Sequence, residues 1–366
     1  MVSRVVHVTA HYPPFLGGLE KVVEALAANR ERQGLDVDVL TSLDGQPRTC
    51  GRGGADFVRR LRSWEVAHTA IIPGLPGELL KLPERSVVHL HVAQAFVPEV
   101  VYAAHLLRGV PYVAHLHLDV GPSGWGGFML RAYKPLVLGP VLRAAATVVA
   151  FTDEQRSMVA SRYGVDPARI AVIPNGVDER FFYAGQRALH AKPRLLFVGR
   201  LSVQKNLMQF LRALDGVSEQ FETTLVGAGE LEAELRQAAG RMRLRNVRFH
   251  GRADGAELRE LYRNADVFVL PSQREGMPLV LLEALAMALP IVATDVPGNR
   301  DVVVHGHNGI LAPLGDPSAL REALLEVTAD PDRYRRMSET SRQLASRYSW
   351  SAIGAEFERV YARAGR

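Results

Sequence analysis

Short runs of β-branched and other apolar residues alternate along the chain with longer segments whose apolar residues recur at helical spacing. The segment from Leu19 to Arg32 shows the helical pattern, with apolar residues three and four positions apart and Gly34 after it. Strands and helices that alternate at these lengths predict parallel βαβ units. In the first half, the predicted strands are Val5–Thr9, Val37–Leu40, Val87–His91, Tyr112–His115, Thr147–Phe151 and Ala171–Ile173.

The regular pattern pauses at the turn signal 174–176 and across the polar stretch Ala184–Pro193, and then starts again. We therefore predict an α/β protein with two Rossmann-like, doubly wound domains, residues 1–180 and 181–348, and a helix in residues 349–366 that crosses back to the first domain. Ligands of such sheets bind at the carboxyl ends of the strands, so a cleft between the two domains is the expected site.

The predicted elements of the second half follow the same alternation. The strands are Arg194–Val198, Thr223–Val226, Val247–His250, Val267–Leu270 and Ile291–Thr294, and the helices between them are Leu207–Leu214, Leu231–Met242, Ala256–Asn264 and Leu279–Met287. The last helix is predicted over Trp350–Ala364 because its apolar residues share one face.

Composition narrows the class of protein. Of the 366 residues, 47% are hydrophobic and 23% are charged, which is typical of a soluble globular protein, and no apolar run approaches the ~20 residues of a membrane span. The first ten residues lack the pattern of a signal peptide, and the single cysteine, Cys50, cannot form an internal disulfide; both favour the cytoplasm. The net charge of +5 suits an anionic small ligand, and no basic run or motif indicates nucleic acid.

The segment Ser272–Glu283 combines a Gly-Met-Pro loop with two glutamates, Glu275 and Glu283. It follows a predicted strand and leads into a helix that begins near Leu279 and Val280. The free N–H groups and positive dipole end of that helix favour a phosphate. A carboxylate at Glu283 or Glu275 is better suited to accept hydrogen bonds from ribose or sugar hydroxyls. An ordinary helix start with acidic residues in its first turns is the alternative interpretation.

Two cations, Arg200 and Lys205, lie on one segment, Phe197–Asn206, which opens the second half. Gly199 follows a predicted buried strand, so the cations emerge at the carboxyl edge of the sheet. A diphosphate leaving group gains negative charge as its bond to a sugar breaks, and fixed cations stabilise that charge. The alternative is a solvated pair of basic side chains.

A third motif follows the first strand, where Gly17 and Gly18 precede a helix. Paired glycines let the backbone approach a ligand, and the helix start again favours an anion. The motif is not the G-x-G-x-x-G fingerprint, which argues against a dinucleotide. A simple tight turn is the alternative.

Together these motifs resemble those of the family-4 group of retaining glycosyltransferases, which have the two-Rossmann GT-B fold. The resemblance covers nearly the whole chain and is strongest from Arg194 to Pro313. In that region the E-x7-E element, the G-R-L-x-x-x-K element, Asn264–Val267 and Gly306–Gly309 occur in the family's order.

The resemblance implies a role for each motif in binding a nucleotide-sugar donor. Glu275 would hold hydroxyls of the donor sugar, Glu283 the ribose, and Arg200 and Lys205 the diphosphate. Pro278 stands where the family more commonly has glycine. Proline has no backbone N–H, so the hydrogen bond that this N–H would donate is not carried over. The remaining implied contacts are the backbone amides around Gly276, Met277, Leu279 and Val280, the glycines Gly17 and Gly18 near the diphosphate, and Arg252 near the base.

The resemblance also makes His117 the catalytic candidate of the first domain, in contact with the donor sugar and near the acceptor. Strand alternation places His115 on the same face, so His115 is a rival, although it also suits a core position. His89 and His91 are interpreted as structural or cleft-lining. Asp119 is the candidate for an acceptor contact.

The family mechanism retains the configuration of the anomeric carbon. No residue stands out as a covalent nucleophile, so we expect the leaving phosphate oxygen to help deprotonate the acceptor hydroxyl, with the protein positioning the reactants and stabilising charge. No metal-ligand cluster is evident in the sequence. We therefore expect no metal and no cofactor, the nucleotide sugar being a substrate.

The acceptor is expected to bind first-domain loops, mainly Asp44–Gly77 and Gly121–Tyr133. Usage rich in arginine and alanine hints at a high-GC bacterium and favours a small molecule, such as an aminocyclitol of antibiotic biosynthesis. Uridine is the expected base. The oligomeric state cannot be read from the sequence.

Three alternatives stay open at this stage. One is an inverting transferase or a sugar-nucleotide epimerase of the same fold, and another is a non-catalytic sugar-nucleotide-binding partner subunit. The third is a membrane-peripheral enzyme with a glycolipid or cell-envelope acceptor, which would use a basic amphipathic patch of Arg59, Arg60 and Arg62. A solvated helix face is the simpler interpretation of that patch.

Overall fold

Two parallel β-sheets organise the chain, each within its own unit. The structure is a computed structural model that describes residues 2–15, 17–43, 57–66, 69–117 and 134–365. Unit 1 comprises Met1–Asn175 and Trp350–Arg366, and unit 2 comprises Gly176–Ser349. The chain therefore enters unit 2 within the predicted turn at 174–176, slightly before the predicted boundary at 180.

Unit 1 contains a parallel sheet with helices on both faces and a short antiparallel pair, β4–β5. Its strands are β1 Arg4–Val8, β2 Asp36–Ser42, β3 Val58–Leu61, β4 Trp64–Val66, β5 Thr69–Ile71, β6 Ser86–Val92, β7 Tyr112–Leu116, β8 Thr147–Ala150 and β9 Ile170–Val172. Its helices are α1 Gly18–Arg32, α2 Leu75–Leu80, α3 Val97–Arg108, α4 Gly139–Ala144 and α5 Asp153–Tyr163, with a π-helical turn at Lys134–Leu138 and the terminal helix described below.

The described strands of the unit 1 sheet are ordered β3-β2-β1-β6-β7-β8-β9. The order reverses between β1 and β6, which pair in parallel with His7 opposite His89. One face of the sheet is apolar and packs on α2 to α5. The opposite face carries Val37 and Val39 beside a row of histidines. A fully buried sheet face that is partly polar is unusual, because buried polar groups must find partners.

The C-terminal helix, Trp350–Ala364, follows unit 2 in sequence but packs on unit 1, as predicted. Its buried face includes Trp350, Phe357 and Tyr361. A Cβ on Gly354 would lie 2.3 Å from Oδ1 of Asn29 in α1, so a larger residue there would displace the Asn29 side chain.

Unit 2 repeats the same plan. Its strands are β10 Arg194–Val198, β11 Glu222–Val226, β12 Val247–Gly251, β13 Val267–Leu270, β14 Ile291–Thr294 and β15 Gly309–Ala312. Its helices are α6 Leu207–Leu214, α7 Glu232–Arg241, α8 Gly255–Asn264, α9 Leu279–Ala286, α10 Pro297–Arg300, α11 Pro317–Ala329 and α12 Pro331–Ala345, and the terminal helix Trp350–Ala364 is α13.

The strand order of unit 2, β12-β11-β10-β13-β14-β15, reverses between β10 and β13. In open α/β sheets, ligands bind outside the carboxyl ends of the strands at such a switch point. The loops that follow β10 and β13 therefore mark the place to search for a site.

Two interpretations of the region around β3 are wrong. Asp44–Gly77 was expected to be a loop region, but its described residues include β3, β4, β5 and the start of α2, and the basic patch is not a helix face. The segment that contains Arg59 and Arg60 is strand β3 and not a helix, because Val39 to Ser42 of β2 pair with Val58 to Leu61. Arg59 pairs with Asp38 and Glu78, and Arg60 donates to the carbonyl of Pro13. Among the described residues, no helix is both long and apolar enough to cross a membrane.

Candidate functional site

The loop after β10, residues 199–206, carries the two predicted cations and is held by the neighbouring loop after β11. The N–H of Gly199 donates to Val226, and the N–H of Leu201 donates to Ala228, at 3.0 and 3.1 Å. A Cβ on Gly227 would lie 1.9 Å from the carbonyl oxygen of Gly199, and Gly227 has a φ of +136°. Glycine is therefore required where the two loops cross.

Lys205 and Glu275 form an ion pair that joins the loops after β10 and β13. Nζ of Lys205 lies 2.5 Å from Oε1 of Glu275, and the two side chains are 17% and 7% exposed. Gln204 reinforces the junction, since its amide donates to the carbonyl of Arg274 and its own carbonyl accepts from the N–H of Gln273, both at 2.8 Å. A largely desolvated cation and carboxylate at a switch point are therefore fixed in place by backbone contacts.

A glycine of the next loop supports the backbone of Glu275 and Gly276. A Cβ on Gly298, in α10, would lie 2.3 Å from the carbonyl oxygen of Gly276. Thr294 and Asn299 brace the same region, because the Thr294 hydroxyl donates to the carbonyl of Ser272 and the Asn299 amide donates to that of Thr294. The position of the Glu275 loop thus depends on β14 and α10.

The helix that follows this loop, α9, begins with an open first turn. Pro278 is its N-cap residue, and no side chain among the described residues caps the helix. The N–H of Leu281 already donates to the carbonyl of Pro278. The amides of Leu279 and Val280 precede it at the positive end of the helix dipole, where an anion is favoured. Met277, just before the cap, is buried.

Glu283 lies in the second turn of α9 and is buried at 6% exposure. The hydroxyl of Tyr262 donates to its Oε2 at 2.8 Å. Burial raises the pKa of Tyr262 well above its usual value, and the Glu283 carboxylate raises it further, so the phenol stays protonated and donates. The Tyr262 contact orients the carboxylate.

The other two predicted cations are exposed side chains at the same edge of the sheet. Arg200 follows β10, and Arg252 follows β12. Neither is held by the ion pair described above. Both are therefore positioned by their strands, while their side chains remain accessible.

In unit 1, Gly17 is the N-cap of α1 and Gly18 is its first residue. In the part of the chain that the structure describes, no side chain caps this helix, and a Cβ on Gly17 would lie 2.2 Å from the Glu20 carboxylate. The Glu20 carboxylate therefore lies beside Gly17 at this helix start, the end of the helix dipole that favours negative charge. Asp119 lies outside the described residues.

His117 follows β7 directly and belongs to what we call the histidine cluster, His7, His89, His91, His115 and His117. These residues share one sheet face across β1, β6 and β7, since His7 is opposite His89 and His91 is opposite His115. The sequence prediction that His115 and His117 share a face is confirmed by their rings, whose centroids are 4.2 Å apart.

Two hydrogen-bonded chains run through the histidine cluster. In one, Nδ1 of His7 lies 3.0 Å from Nε2 of His91, and Nδ1 of His91 lies 2.8 Å from Nε2 of His117. In the other, the Tyr361 hydroxyl lies 2.7 Å from Nδ1 of His89, and Nε2 of His89 lies 3.2 Å from Nδ1 of His115.

Burial keeps these imidazoles uncharged at neutral pH. It lowers the pKa of His7 to about 3, with Arg30 adding to the effect, and lowers the pKa of His117 to about 3. Burial also lowers the pKa values of His89, His91 and His115, which the neighbouring histidines depress further. His117 therefore offers a neutral ring at the end of β7.

Sequence reasoning missed the glycines that bring the loops together and the membership of His7 in the histidine cluster. Strand alternation places His89 and His91 on one face of β6, but β1 contains no second histidine with which His7 could be paired in this way. Its place follows from the pairing of β1 with β6. The two glycines after β11, Gly227 and Gly229, are a visible signal, because Gly-Ala-Gly at a strand end indicates close backbone approach.

Comparison with protein families matches both units. The profile described as "Glycosyltransferase Family 4" matches residues 16–181, and the profile "Glycosyl transferases group 1" matches residues 192–330. The chain is 29% identical over 398 residues to glycogen synthase of Mycobacterium tuberculosis, covering 99% of this chain and 95% of that protein. It is 32% identical over 285 residues to phosphatidyl-myo-inositol mannosyltransferase of Mycobacterium leprae, covering 75% of this chain and 72% of that protein.

The fold also matches solved structures. HepE from Anabaena, solved in complex with UDP and glucose, has a TM-score of 0.79 and 19% identity, with 98% of this chain and 99% of that chain covered. Two parallel sheets in Rossmann order are the GT-B arrangement predicted from the sequence. The chain belongs to the family-4, group 1 glycosyltransferases.

Proposed function

We propose that the protein transfers a hexose from a nucleotide-diphosphate sugar, with uridine as the base, to a hydroxyl of a small acceptor with retention at the anomeric carbon. The observation that carries the proposal is the Lys205–Glu275 pair beside the open first turn of α9. A cation, a carboxylate and free helix amides together suit a sugar linked to a diphosphate. The solved complex of HepE with UDP and glucose supports uridine as the base.

In this proposal the charged residues of the candidate site in unit 2 contact different parts of the donor. Lys205 and Arg200 stabilise the negative charge that develops on the departing diphosphate. Glu275 accepts hydrogen bonds from donor-sugar hydroxyls, while Gly276, Met277, Leu279 and Val280 supply backbone contacts to the sugar and phosphates. Glu283 accepts from the ribose, and Arg252 lies beside the base. The Lys205–Glu275 contact orients both side chains before the donor binds.

Unit 1 supplies further contacts to the donor in the proposal. The neutral ring of His117 contacts the donor sugar as a hydrogen-bonding group, and Gly17 and Gly18 allow backbone approach to the diphosphate. The departing phosphate oxygen takes the proton of the acceptor hydroxyl as the new bond forms on the same face. Transfer then proceeds without a metal, because cations and helix amides provide the positive charge.

For the acceptor we propose a cyclitol hydroxyl, as in an aminocyclitol antibiotic precursor. The M. leprae relative is named for a myo-inositol lipid, which supports cyclitol recognition and also keeps a lipid-linked acceptor as the second candidate. Assays with free myo-inositol, free aminocyclitols and phosphatidylinositol vesicles separate the two. Transfer only to vesicles would replace the small-molecule acceptor by the lipid.

Binding of UDP, GDP and ADP to the purified chain tests the donor assignment. A nucleotide at a hundred times its dissociation constant should stabilise the protein by about 2.7 kcal/mol, measured as a thermal shift. Donor turnover in EDTA then tests the reaction, and the anomeric configuration of the product by NMR separates retention from inversion. Absence of a shift with all three nucleotides would contradict the proposal.

Lys205→Ala tests the named site. Removing the cation leaves Glu275 buried without its partner and the leaving group without a stabilising charge, so we expect a loss of about 10²–10³ in kcat. The matched control is Lys192→Ala, since Lys192 is the other lysine of unit 2 in the sequence. Equal activity of the two variants would show that Lys205 is not part of the active site. A chain that binds nucleotide tightly and transfers no sugar under any condition would indicate the binding-partner alternative.

A further inference from the structure

The histidine cluster contains more imidazoles than the proposed transfer uses. His91, His115 and His117 each offer one ring nitrogen, and these three nitrogens lie within 4.8 Å of one another. We propose that these three side chains form a site for one divalent transition-metal ion of the zinc class, bound within unit 1.

An unpartnered nitrogen points to a missing ligand. Nε2 of His115 is buried without a hydrogen-bond partner among the described residues, and His115 itself is 1% exposed. Its other nitrogen, Nδ1, is already engaged with His89. A buried polar atom without a partner is costly, and coordination of a cation would satisfy it.

The surrounding rings form the second shell that a metal site needs. When His91 coordinates through Nδ1, its Nε2–H donates to Nδ1 of His7. When His115 coordinates through Nε2, its Nδ1–H donates to Nε2 of His89. Histidine ligands generally donate their second N–H to such an acceptor, which fixes the tautomer and the orientation of the ring.

The alternative triad, His7, His89 and His91, also has a buried nitrogen, Nε2 of His7, without a partner among the residues that the structure describes, but is less suited for two reasons. Both nitrogens of His89 are already bonded, one to the Tyr361 hydroxyl and one to His115. All three residues of this alternative triad are buried, whereas His117 in the proposed site is partly exposed and leaves a route to solvent. An ion at His117 could keep a water in its fourth position.

The donor set selects the ion. Three imidazoles with no carboxylate suit Zn²⁺, Ni²⁺ or Cu²⁺ and are poor ligands for Mg²⁺ and Ca²⁺. Nitrogens around a tetrahedral zinc ion lie roughly 3.3 Å apart, since each Zn–N bond is about 2.0–2.1 Å. The His91 and His117 nitrogens, now 2.8 Å apart, must separate slightly as the ion replaces their hydrogen bond.

The ion would also affect the reaction. Coordination removes the His117 nitrogen from any role in transfer, so Zn²⁺ should inhibit turnover and EDTA should restore it. This part rests on the proposed function. Binding itself does not, because it needs neither donor nor acceptor.

The test uses the tag-free full chain after EDTA treatment and buffer exchange. Co²⁺ is added while visible absorption is recorded, and bound Zn²⁺ is counted by elemental analysis after gel filtration. We expect one ion per chain, the absorption of a low-coordinate Co²⁺–imidazole site, and displacement of Co²⁺ by Zn²⁺. No bound ion at micromolar metal would overturn the proposal.

Three variants locate the ion. His91→Gln and His115→Gln should weaken binding at least tenfold, and His117→Gln does the same at a partly exposed position where folding is least at risk. His105→Gln is the control, because His105 lies in the same unit and bonds to the carbonyl of Val110 outside the histidine cluster. Binding that persists in His117→Gln overturns the site. Metal binding without sugar transfer would leave the site standing and remove the proposed function, whereas transfer in EDTA without metal binding would do the reverse.

Discussion

The two units follow one topological plan and place opposite chemistry at the point where the strand order reverses. In unit 2, charged groups stand on the loops beyond β10 and β13, and the strands beneath them are apolar. In unit 1, the polar groups are uncharged imidazoles on β1, β6 and β7, with His117 directly after β7, and α13 packs against His89 and His115. A charge tolerates the edge of a sheet, where solvent and ligand can reach it, whereas a group inside the sheet stays neutral.

The largest expected effect tests whether α13 is needed to cover the imidazole face, by which we mean the sheet face that carries the histidine cluster. Phe357 is 1% exposed, and its ring lies 5.3 Å from that of His89 and 5.4 Å from that of His115. We expect Phe357→Ala to reduce the free energy of unfolding of unit 1 by about 3–5 kcal/mol, because a large buried ring leaves a cavity. All three tryptophans lie in unit 1, so denaturant unfolding followed by tryptophan fluorescence measures this effect.

Leu106→Ala is the control for this comparison. Leu106 is 65% exposed on α3 of the same unit, and its truncation should change the free energy of unfolding by less than about 0.5 kcal/mol. UDP affinity, which we assign to unit 2 and to the backbone at Gly17 and Gly18, should stay unchanged in Phe357→Ala under native conditions, because α13 carries none of these groups. Similar unfolding midpoints for Phe357→Ala and the wild type would mean that the imidazole face does not depend on α13.

A smaller effect is expected from the glycine that supports the unit 2 loop. Gly298→Ala places a Cβ 2.3 Å from the carbonyl oxygen of Gly276, so the Glu275 loop must move. We expect a stability loss of about 1–3 kcal/mol and a fall in kcat/KM of about 10–100-fold, because small displacements of a positioned group are costly. Steady-state kinetics with the donor measure the second effect.

Gly240→Ala provides the matched glycine control. Gly240 lies in α7, and a Cβ there would meet no atom within 4 Å, so alanine should be neutral or slightly stabilising. Full activity of Gly298→Ala would show that the loop adapts without cost. In that case the loop that carries Glu275 in unit 2 would not be held in a fixed position as the histidines on the unit 1 strands are.

The repeated fold could be predicted from the sequence because each central strand is a nearly continuous apolar run. Arg194–Val198, Val267–Leu270 and Ile291–Thr294 are strands with the predicted bounds. The edge strand β3 was mistaken for a helix, because it is half polar and its conformation depends on pairing with β2.

The site was predictable to the extent that its residues follow strands directly. Lys205 and Glu275 were expected near one ligand, and they form an ion pair. The contacts of Gly227 and Gly298 were not predictable, because each supports a loop that is distant in sequence. The same reason applies to His7, whose neighbours come from β6.

The smallest expected effect on donor binding or turnover concerns Tyr262, whose hydroxyl donates to Glu283. Tyr262→Phe removes one hydrogen bond to a buried carboxylate and leaves the ring in place, so we expect a stability loss of about 1–3 kcal/mol. If Glu283 binds the ribose, its freer side chain should also weaken UDP several-fold, which calorimetric titration measures. Tyr334→Phe is the control, because Tyr334 donates to the backbone carbonyl of Asp266 in the same unit. Equal loss of UDP affinity in both variants would indicate a general effect on unit 2. A loss confined to Tyr262→Phe would show that the uncharged Tyr262 hydroxyl orients the Glu283 carboxylate at the charged edge of unit 2.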